Sequence, residues 1–297
     1  MQQPIVSVCV ITYNHQAFIN QCLDGIIEQQ TNFDYDIVIG EDCSTDTTAS
    51  IIKEYARVHK HINFLDNSKN LGAIPNFIRT LKACKGKYIA FCEGDDYWID
   101  RNKLQKQVDF LEQHPKYGGV CGEIISRDVD NQIEESHPLK QEGIITFEEI
   151  IVKNKIHSNT ILFRSNLLNV EDLNAIMEIS VGDWYLHLLV TKKKPYYYLP
   201  DYFALYRIHD LGIFSKKSDF YKSYQKVRLL NIFLKNECDS QNSYLVKESL
   251  QYQVFQALKE STKEDKKELK ELFSILLNHK ILKMNRSVIG GAINLIK

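Results

Sequence analysis

Glu93-Gly94-Asp95-Asp96 closes an apolar run, Tyr88-Ile89-Ala90-Phe91-Cys92. The run reads as a buried strand, and carboxylates crowded at its mouth are electrostatically costly without a nearby cation. Carboxylate oxygens suit Mg²⁺ or Mn²⁺, and such ions are commonly held by one or two protein carboxylates together with substrate phosphates. The chemistry implied is a metal–diphosphate site. Taken alone, the cluster would also suit a solvated acidic turn. Two more polar clusters, Thr12-Tyr13-Asn14 and Glu41-Asp42, end other strand-like runs and argue against that blander reading.

The elements that must position these residues alternate. Strands are expected over 5–11, 35–40, 61–65 and 87–92, and helices over 18–30, around Ile51, Ile52 and Tyr55, and over 74–84. Ser44 or Thr45 is the expected cap of the second helix. Alternation of this kind gives a mostly parallel α/β sheet with right-handed crossovers. Ligands of such sheets bind outside the carboxyl ends of the strands, so the three polar clusters should meet in one crevice. Further on, 104–111 reads as a helix, 118–125 as a strand, and 127–145 as a polar loop with a partial strand. Thr146-Phe147-Glu148-Glu149 has the form of a capping box. A strand over 160–163, a helix over 167–177 and a helix opening at Val181-Gly182-Asp183-Trp184 follow. An aromatic β-like stretch covers 195–209, and the chain is helical from Asp219 onward.

The chain has 297 residues, 44% of them apolar, enough for a substantial core. A formal net charge of −1 offers no argument for nucleic acid as a partner. Seven cysteines lack CxxC spacing and several lie in apolar runs, which suits reduced thiols in a cytoplasmic protein. Segment 1–12 has no basic leader and runs straight into β-type sequence, so no signal peptide is expected. No apolar run approaches the roughly 20 residues that span a bilayer.

The order of these pieces resembles the family 2 glycosyltransferases. The matching segments are Val10-Ile11-Thr12-Tyr13-Asn14, Gly40 to Thr48, Asn70-Leu71-Gly72 with Asn76, and Gly86 to Asp96. Weaker matches are Phe163-Arg164-Ser165, Gly182-Asp183-Trp184 and Tyr206-Arg207-Ile208-His209. The likeness covers about the first third of the chain well and fades after about 215. It implies a GT-A type, Rossmann-like α/β fold: a mostly parallel central sheet flanked by helices, with a C-terminal helical extension. The implied division is a glycosyltransferase domain over 1–215, its nucleotide-binding half 1–100 and acceptor-binding half 101–215, followed by a helical region over 216–297. The family's metal motif reads Asp-x-Asp, whereas here its first position is Glu93.

By that resemblance the chain is a metal-dependent, inverting glycosyltransferase of surface polysaccharide synthesis. Its donor is a nucleotide-diphosphate sugar, UDP-linked by family frequency, and its acceptor a glycan or lipid-linked glycan. Thr12 and Tyr13 lie beside the nucleobase, Tyr13 offering a ring for stacking, and Asn14 belongs to the nucleotide-sugar site. Asp42 accepts from a uracil-like N3–H or caps a helix; Asp46 is a cap. Asn70, Gly72, Glu93, Gly94, Asp95 and Asp96 complete the nucleotide-sugar site. Asp95 is the metal ligand for Mn²⁺ or Mg²⁺, Glu93 faces the ribose or a metal-bound water, and Asp96 supports them or caps a helix. Asp183 is the general base or the N-cap of its helix. His209 reaches the metal or diphosphate, or is structural. Arg207 meets phosphate or forms a surface ion pair. Trp98 and Trp184 are sugar platforms or core residues, and His157 lines the acceptor side.

Residues 280–297 carry Lys280, Lys283, Arg286 and Lys297 and no acid, interleaved with apolar residues. Such a segment lies on an anionic membrane surface, packs as a terminal helix, or makes a homo-oligomer contact. Two other functions compete with transfer. A nucleotidyltransferase would want a Gly-rich loop after its first strand, and Thr12 to Gln16 has no glycine. A catalytically silent nucleotide-sugar binding module would bind nucleotide without turnover.

Overall fold

Alternating burial along the first strands sets the architecture. In β1 (Val6–Thr12), Val6, Val8 and Val10 face one apolar layer, and Cys9 faces the other. In β4 (Tyr88–Glu93) Tyr88, Ala90 and Cys92 join the first layer, while Ile89 and Phe91 join the second. A strand buried on both faces requires helices above and below it. The computed structural model describes residues 3–128, 133–136, 141–177, 179–209, 212, 217–238 and 242–279.

Ten strands form one sheet. The others are β2 (Tyr35–Glu41), β3 (Ile62–Leu65), β5 (Tyr97–Trp98), β6 (Gly119–Asp128), β7 (Ile133–Ser136), β8 (Gly143–Ile145), β9 (Leu162–Arg164) and β10 (Tyr196–Ile208). The main order is β3-β2-β1-β4-β9-β6-β10-β5, with β7 on β6 and β8 on β10. Pairings β3–β2, β2–β1, β1–β4 and β6–β10 are parallel. Strand β9 runs antiparallel between β4 and β6. Strands β1, β2, β3, β4, β6 and β10 thus share one direction, which makes the sheet mostly parallel, and β5, β7, β8 and β9 run against them.

Helices α1 (Ile19–Ile27), α2 (Thr48–Val58) and α4 (Lys103–Gln113) cover the first layer. The second is covered by α3 (Ala73–Ala83), α5 (Phe147–Val152) and α6 (Gly182–Thr191). Helices α7 (Asp219–Asn236), α8 (Ser243–Glu260) and α9 (Lys266–Asn278) pack into that same core through Val227, Leu230, Phe233, Leu250 and Leu272.

Several expectations change in detail. Residues 167–177 form 3₁₀ turns at Ser165–Leu167 and Val170–Ile176, not an α-helix. The polar stretch 127–145 contributes the end of β6 and all of β7 and β8. Neither Ser44 nor Thr45 caps α2; Asp46 Oδ1 accepts from the Thr48 N–H at 2.9 Å. Thr146 and Glu149 do form the capping box of α5. The expected boundary between 215 and 216 and the basic tail 280–297 lie outside the described residues. Among the described residues no helix is long and apolar enough to cross a membrane.

The joint between β2 and α3 depends on a missing side chain. The Asn76 amide donates to the Gly40 carbonyl at 2.8 Å, and a Cβ on Gly40 would lie 1.8 Å from Thr80 Oγ1. Gly40→Ala is expected to destabilise by about 1–3 kcal/mol through overpacking, read as a lower Tm. Adding Thr80→Ala should recover part of that loss; a Gly40→Ala Tm equal to the parent's would contradict the close contact.

Candidate active site

Every parallel strand of the first half delivers its polar cluster to one edge of the sheet. Asn14 takes a left-handed conformation, φ 56°, which Asn tolerates better than most residues. Its N–H donates to Ser44 Oγ at 2.9 Å, and its Oδ1 accepts from the Thr45 N–H at 2.8 Å. The His15 N–H donates to Thr48 Oγ1 and the Gln16 N–H to Asp46 Oδ2. The loops after β1 and β2 are thus laced together. Asn14 acts as a loop fastener.

The third loop is tied by Asp42. Its Oδ1 accepts from Leu71 N–H at 2.7 Å and Asn67 Nδ2 at 3.1 Å, and its Oδ2 from Gly72 N–H at 2.8 Å. The helix-cap alternative for Asp42 is therefore overturned. Asn70 Oδ1 accepts from the same Gly72 N–H, and Gly72 adopts φ 91°, a region that favours glycine. Asn70 and Gly72 hold the turn through these bonds. Glu41, beside Asp42, accepts from the N–H groups of Cys43 and Ser44.

At the end of β4, Gly94 lets the backbone press on the first loop. A Cβ there would lie 2.5 Å from Thr12 Oγ1 and 2.9 Å from His15 Nδ1. The neighbouring carboxylates then point apart. Asp96 is 1% exposed and accepts from the Arg207 N–H at 2.8 Å and Asn159 Nδ2 at 2.9 Å. Asp96 is a buried fastener between β4, β10 and the 3₁₀ turn Ser158–Thr160, and the sequence-based placement in the nucleotide site is corrected. Asp95 instead meets His209 Nε2 at 3.1 Å and lies 3.7 Å from His15 Nε2.

Three more placements are corrected. Arg207 is 7% exposed; its guanidinium donates to the Asp95 carbonyl and to Gln21, and lies over the rings of Tyr97 and Phe18. It braces the acidic turn from beneath, and the surface ion-pair alternative fails. Trp98, 3% exposed, donates its indole N–H to the Asn159 carbonyl at 2.8 Å beneath the Lys103 ammonium. Trp184, also 3% exposed, donates to the Ile150 carbonyl. Both tryptophans are core residues. His157 is exposed, and its carbonyl accepts from the Thr160 N–H.

Asp183 lies in the first turn of α6, whose N-cap is Val181, so the N-cap alternative fails. Its Oδ2 accepts from Asn154 Nδ2 and Ser158 Oγ, each at 3.2 Å. One turn along, His187 is fully buried, and burial pushes it down to about 4 against the pull of Asp183. A neutral imidazole leaves the carboxylate's charge uncompensated from that side.

Electrostatics draw Glu93, Asp95 and Asp183 together. Burial, then the charges of Asp95 and Asp183, push Glu93 up to about 8. Tyr206 is raised by burial and by Glu93, Asp96, Asp95 and Asp183. Burial works upward on Asp95 too, but the His209 hydrogen bond and the charges of His15 and His209 outweigh it and hold Asp95 low. Among the described residues no group of three or more His, Cys, Asp or Glu side chains is arranged as a complete metal cage. What exists is a pair, Asp95 Oδ2 and His209 Nε2, beside Glu93, whose carboxyl is pushed up by burial and by the neighbouring acids. That donor set fits a dication taking its other ligands from a diphosphate and water. His15 escaped the sequence reading; its only signal was its place directly after the Thr12-Tyr13-Asn14 cluster.

Comparison with known proteins gives the family and the fold. Residues 7–171 match the model of Glycosyl transferase family 2, and the chain belongs to that family. An uncharacterised protein of Mycobacterium tuberculosis is 35% identical over 212 residues, 70% of this chain and 60% of that protein. The chain thus spans 60% of the length of that curated relative. TarS of Staphylococcus aureus, a poly(ribitol-phosphate) beta-N-acetylglucosaminyltransferase, is 26% identical over 204 residues, 65% of this chain and 35% of TarS. The fold is that of TarS 1–349 in complex with UDP-GlcNAc, with a TM-score of 0.73 at 18% identity, covering 98% of this chain and 89% of that one. The mannosyltransferase PcManGT of Pyrobaculum calidifontis, in complex with GDP-Man and Mn²⁺, superposes with a TM-score of 0.58 at 16% identity, covering 100% and 88%.

A raised carboxyl pKa favours folding at low pH. The contribution of Glu93 is full below its ordinary value of 4.5 and is lost as pH rises through about 8. In metal-free protein, Glu93→Gln should therefore raise Tm relative to the parent progressively from pH 5 to pH 8. A Tm difference independent of pH would contradict the raised pKa of Glu93.

Proposed function

We propose that this chain transfers a sugar from a nucleotide-diphosphate donor, UDP-linked, to a hydroxyl of a glycan or lipid-linked glycan acceptor, with inversion at the anomeric carbon. The observation that carries the reading is that the acidic turn after β4 holds Asn159 through Asp96, while the adjacent Ser158 meets Asp183 of α6, which brings the two acidic groups to the same edge of the sheet. One cluster suits a departing diphosphate, and the other an incoming alcohol.

Donor binding rests on the laced loops. The Tyr13 ring is 38% exposed and offers a face to the nucleobase. Asp42 Oδ1 already accepts two hydrogen bonds and Oδ2 one, so a uracil N3–H would take the lone pair remaining on Oδ2. Asp95 and His209 would hold Mn²⁺ or Mg²⁺ at the diphosphate. Such an ion neutralises the charge that builds on the leaving phosphate oxygens. Support for a UDP donor comes from TarS, solved with UDP-GlcNAc, and support for the metal from PcManGT, solved with Mn²⁺.

Asp183 is the base. It accepts the proton of the acceptor hydroxyl as that oxygen attacks the anomeric carbon from the side opposite the leaving group. A single displacement of this kind inverts the centre. Arg207 acts from below, holding the Asp95 backbone so that the Asp95 carboxylate faces the crevice. No disulfide joins the cysteines, in keeping with a cytoplasmic site of action, where nucleotide sugars are available.

Two substitutions separate binding from chemistry. Asp95→Ala should weaken UDP binding in the presence of Mn²⁺ by at least about tenfold, a typical cost for a disrupted metal site; unchanged calorimetric affinity would refute the ligand assignment. Asp183→Asn should bind UDP like the parent yet lose turnover by about 10²–10⁴-fold, the usual contribution of a general base. Activity within a few-fold of the parent would remove Asp183 from that role.

A further inference from the structure

The Ser158–Thr160 turn is fixed from beneath by buried groups. Lys103, fully buried, donates from Nζ to Gln107 Oε1 at 2.7 Å. Gln107 Nε2 then donates to the Thr160 carbonyl at 2.7 Å and the Val120 carbonyl at 3.1 Å. Trp98 holds the Asn159 carbonyl, and Asp96 holds the Asn159 amide at 2.9 Å. Consecutive residues of one short turn are thus anchored by separate partners from α4, β5 and the end of β4. Ser158 sits above this foundation, half-buried, with its hydroxyl 3.2 Å from Asp183 Oδ2. Asn154 reaches the same oxygen from the other end of the 153–157 segment, also at 3.2 Å.

Two neutral donors on a single carboxylate oxygen do more than steady it. They fix the plane of the carboxylate and occupy Oδ2, so that Oδ1 is the oxygen presented to a substrate. A base that must meet the acceptor hydroxyl in one geometry gains from that constraint.

We propose that Ser158 and Asn154 are positioning residues for the base Asp183, with the Lys103–Gln107–Thr160 chain as their rigid support. The inference rests on the transferase reading above and assigns to that site residues outside its donor and metal groups. Neither residue is asked to touch the donor. Their loss should lower the rate of proton abstraction and leave nucleotide binding alone.

The test uses the full chain with UDP-GlcNAc and Mn²⁺, water serving as acceptor and UDP release as the readout. Ser158→Ala and Asn154→Ala should each reduce kcat by about 10- to 100-fold, as expected for a lost hydrogen bond to a charged group. KM for the donor and the calorimetric affinity for UDP should stay within about twofold. Ser158→Thr, which keeps the hydroxyl, should restore the parent kcat. The double alanine variant should lose less than the product of the single losses, because both donors serve one oxygen. An unchanged kcat, or a loss expressed in KM, would overturn the proposal. So would a Tm coupling between Ser158→Ala and Asp183→Asn that is zero at pH 7, a measurement independent of turnover. Absence of UDP release by the parent would instead overturn the donor reading, and the Tm coupling would still decide whether Ser158 serves Asp183.

Discussion

Like charges cannot be crowded at the edge of a buried sheet unless each is answered. Two carboxylates 4 Å apart repel by about 4 kcal/mol at an effective dielectric near 20, and this edge gathers Glu41, Asp42, Glu93, Asp95, Asp96 and Asp183. The structure divides them. Glu41, Asp42 and Asp96 turn inward and accept backbone or amide N–H groups. Glu93, Asp95 and Asp183 remain close enough to act on one another, and burial together with the charges of Asp95 and Asp183 pushes Glu93 up to about 8. The inward acids supply the rigidity, and the outward ones the unmet charge that a cation and a substrate proton can satisfy.

Rigidity matters because the site is assembled from loops. Loop residues ordinarily move more than the strands they follow. Here the loops after β1, β2 and β3 are joined through Asn14, Asp46 and Asp42. Asp96 joins the β4 end to β10 and to the turn below Asp183. The acidic turn after β4 and the Ser158–Thr160 turn are therefore fixed to one another by a buried carboxylate, which explains why Asp96 is hidden although it lies next to Asp95 in sequence.

Much of the fold was legible because β1 and β4 are apolar on both faces and the intervening helices have clear periodicity. The gathering of strand-end clusters followed from parallel topology alone. Individual roles were less legible. Asp95 and Asp96 are adjacent acids, and nothing local says that one faces solvent while the other receives the Arg207 N–H from more than a hundred residues away. Trp98 and Trp184 carry the polar handle of a sugar platform, but partners for both indoles lie far off in sequence, at Asn159 and Ile150. The 165–176 stretch has helical composition, yet tertiary packing shortens it to 3₁₀ turns. His15 gave no periodic signal; only the close packing of Gly94 brings it to Asp95.

A crystal grown with UDP and Mn²⁺, with the manganese located by its anomalous scattering, tests the central claim most directly. The account predicts a single manganese peak bonded to the Asp95 carboxylate and to diphosphate oxygens, with Asp183 facing the open side of the donor site. UDP bound in the crevice with no manganese at Asp95, or manganese bound at another cluster, would contradict it.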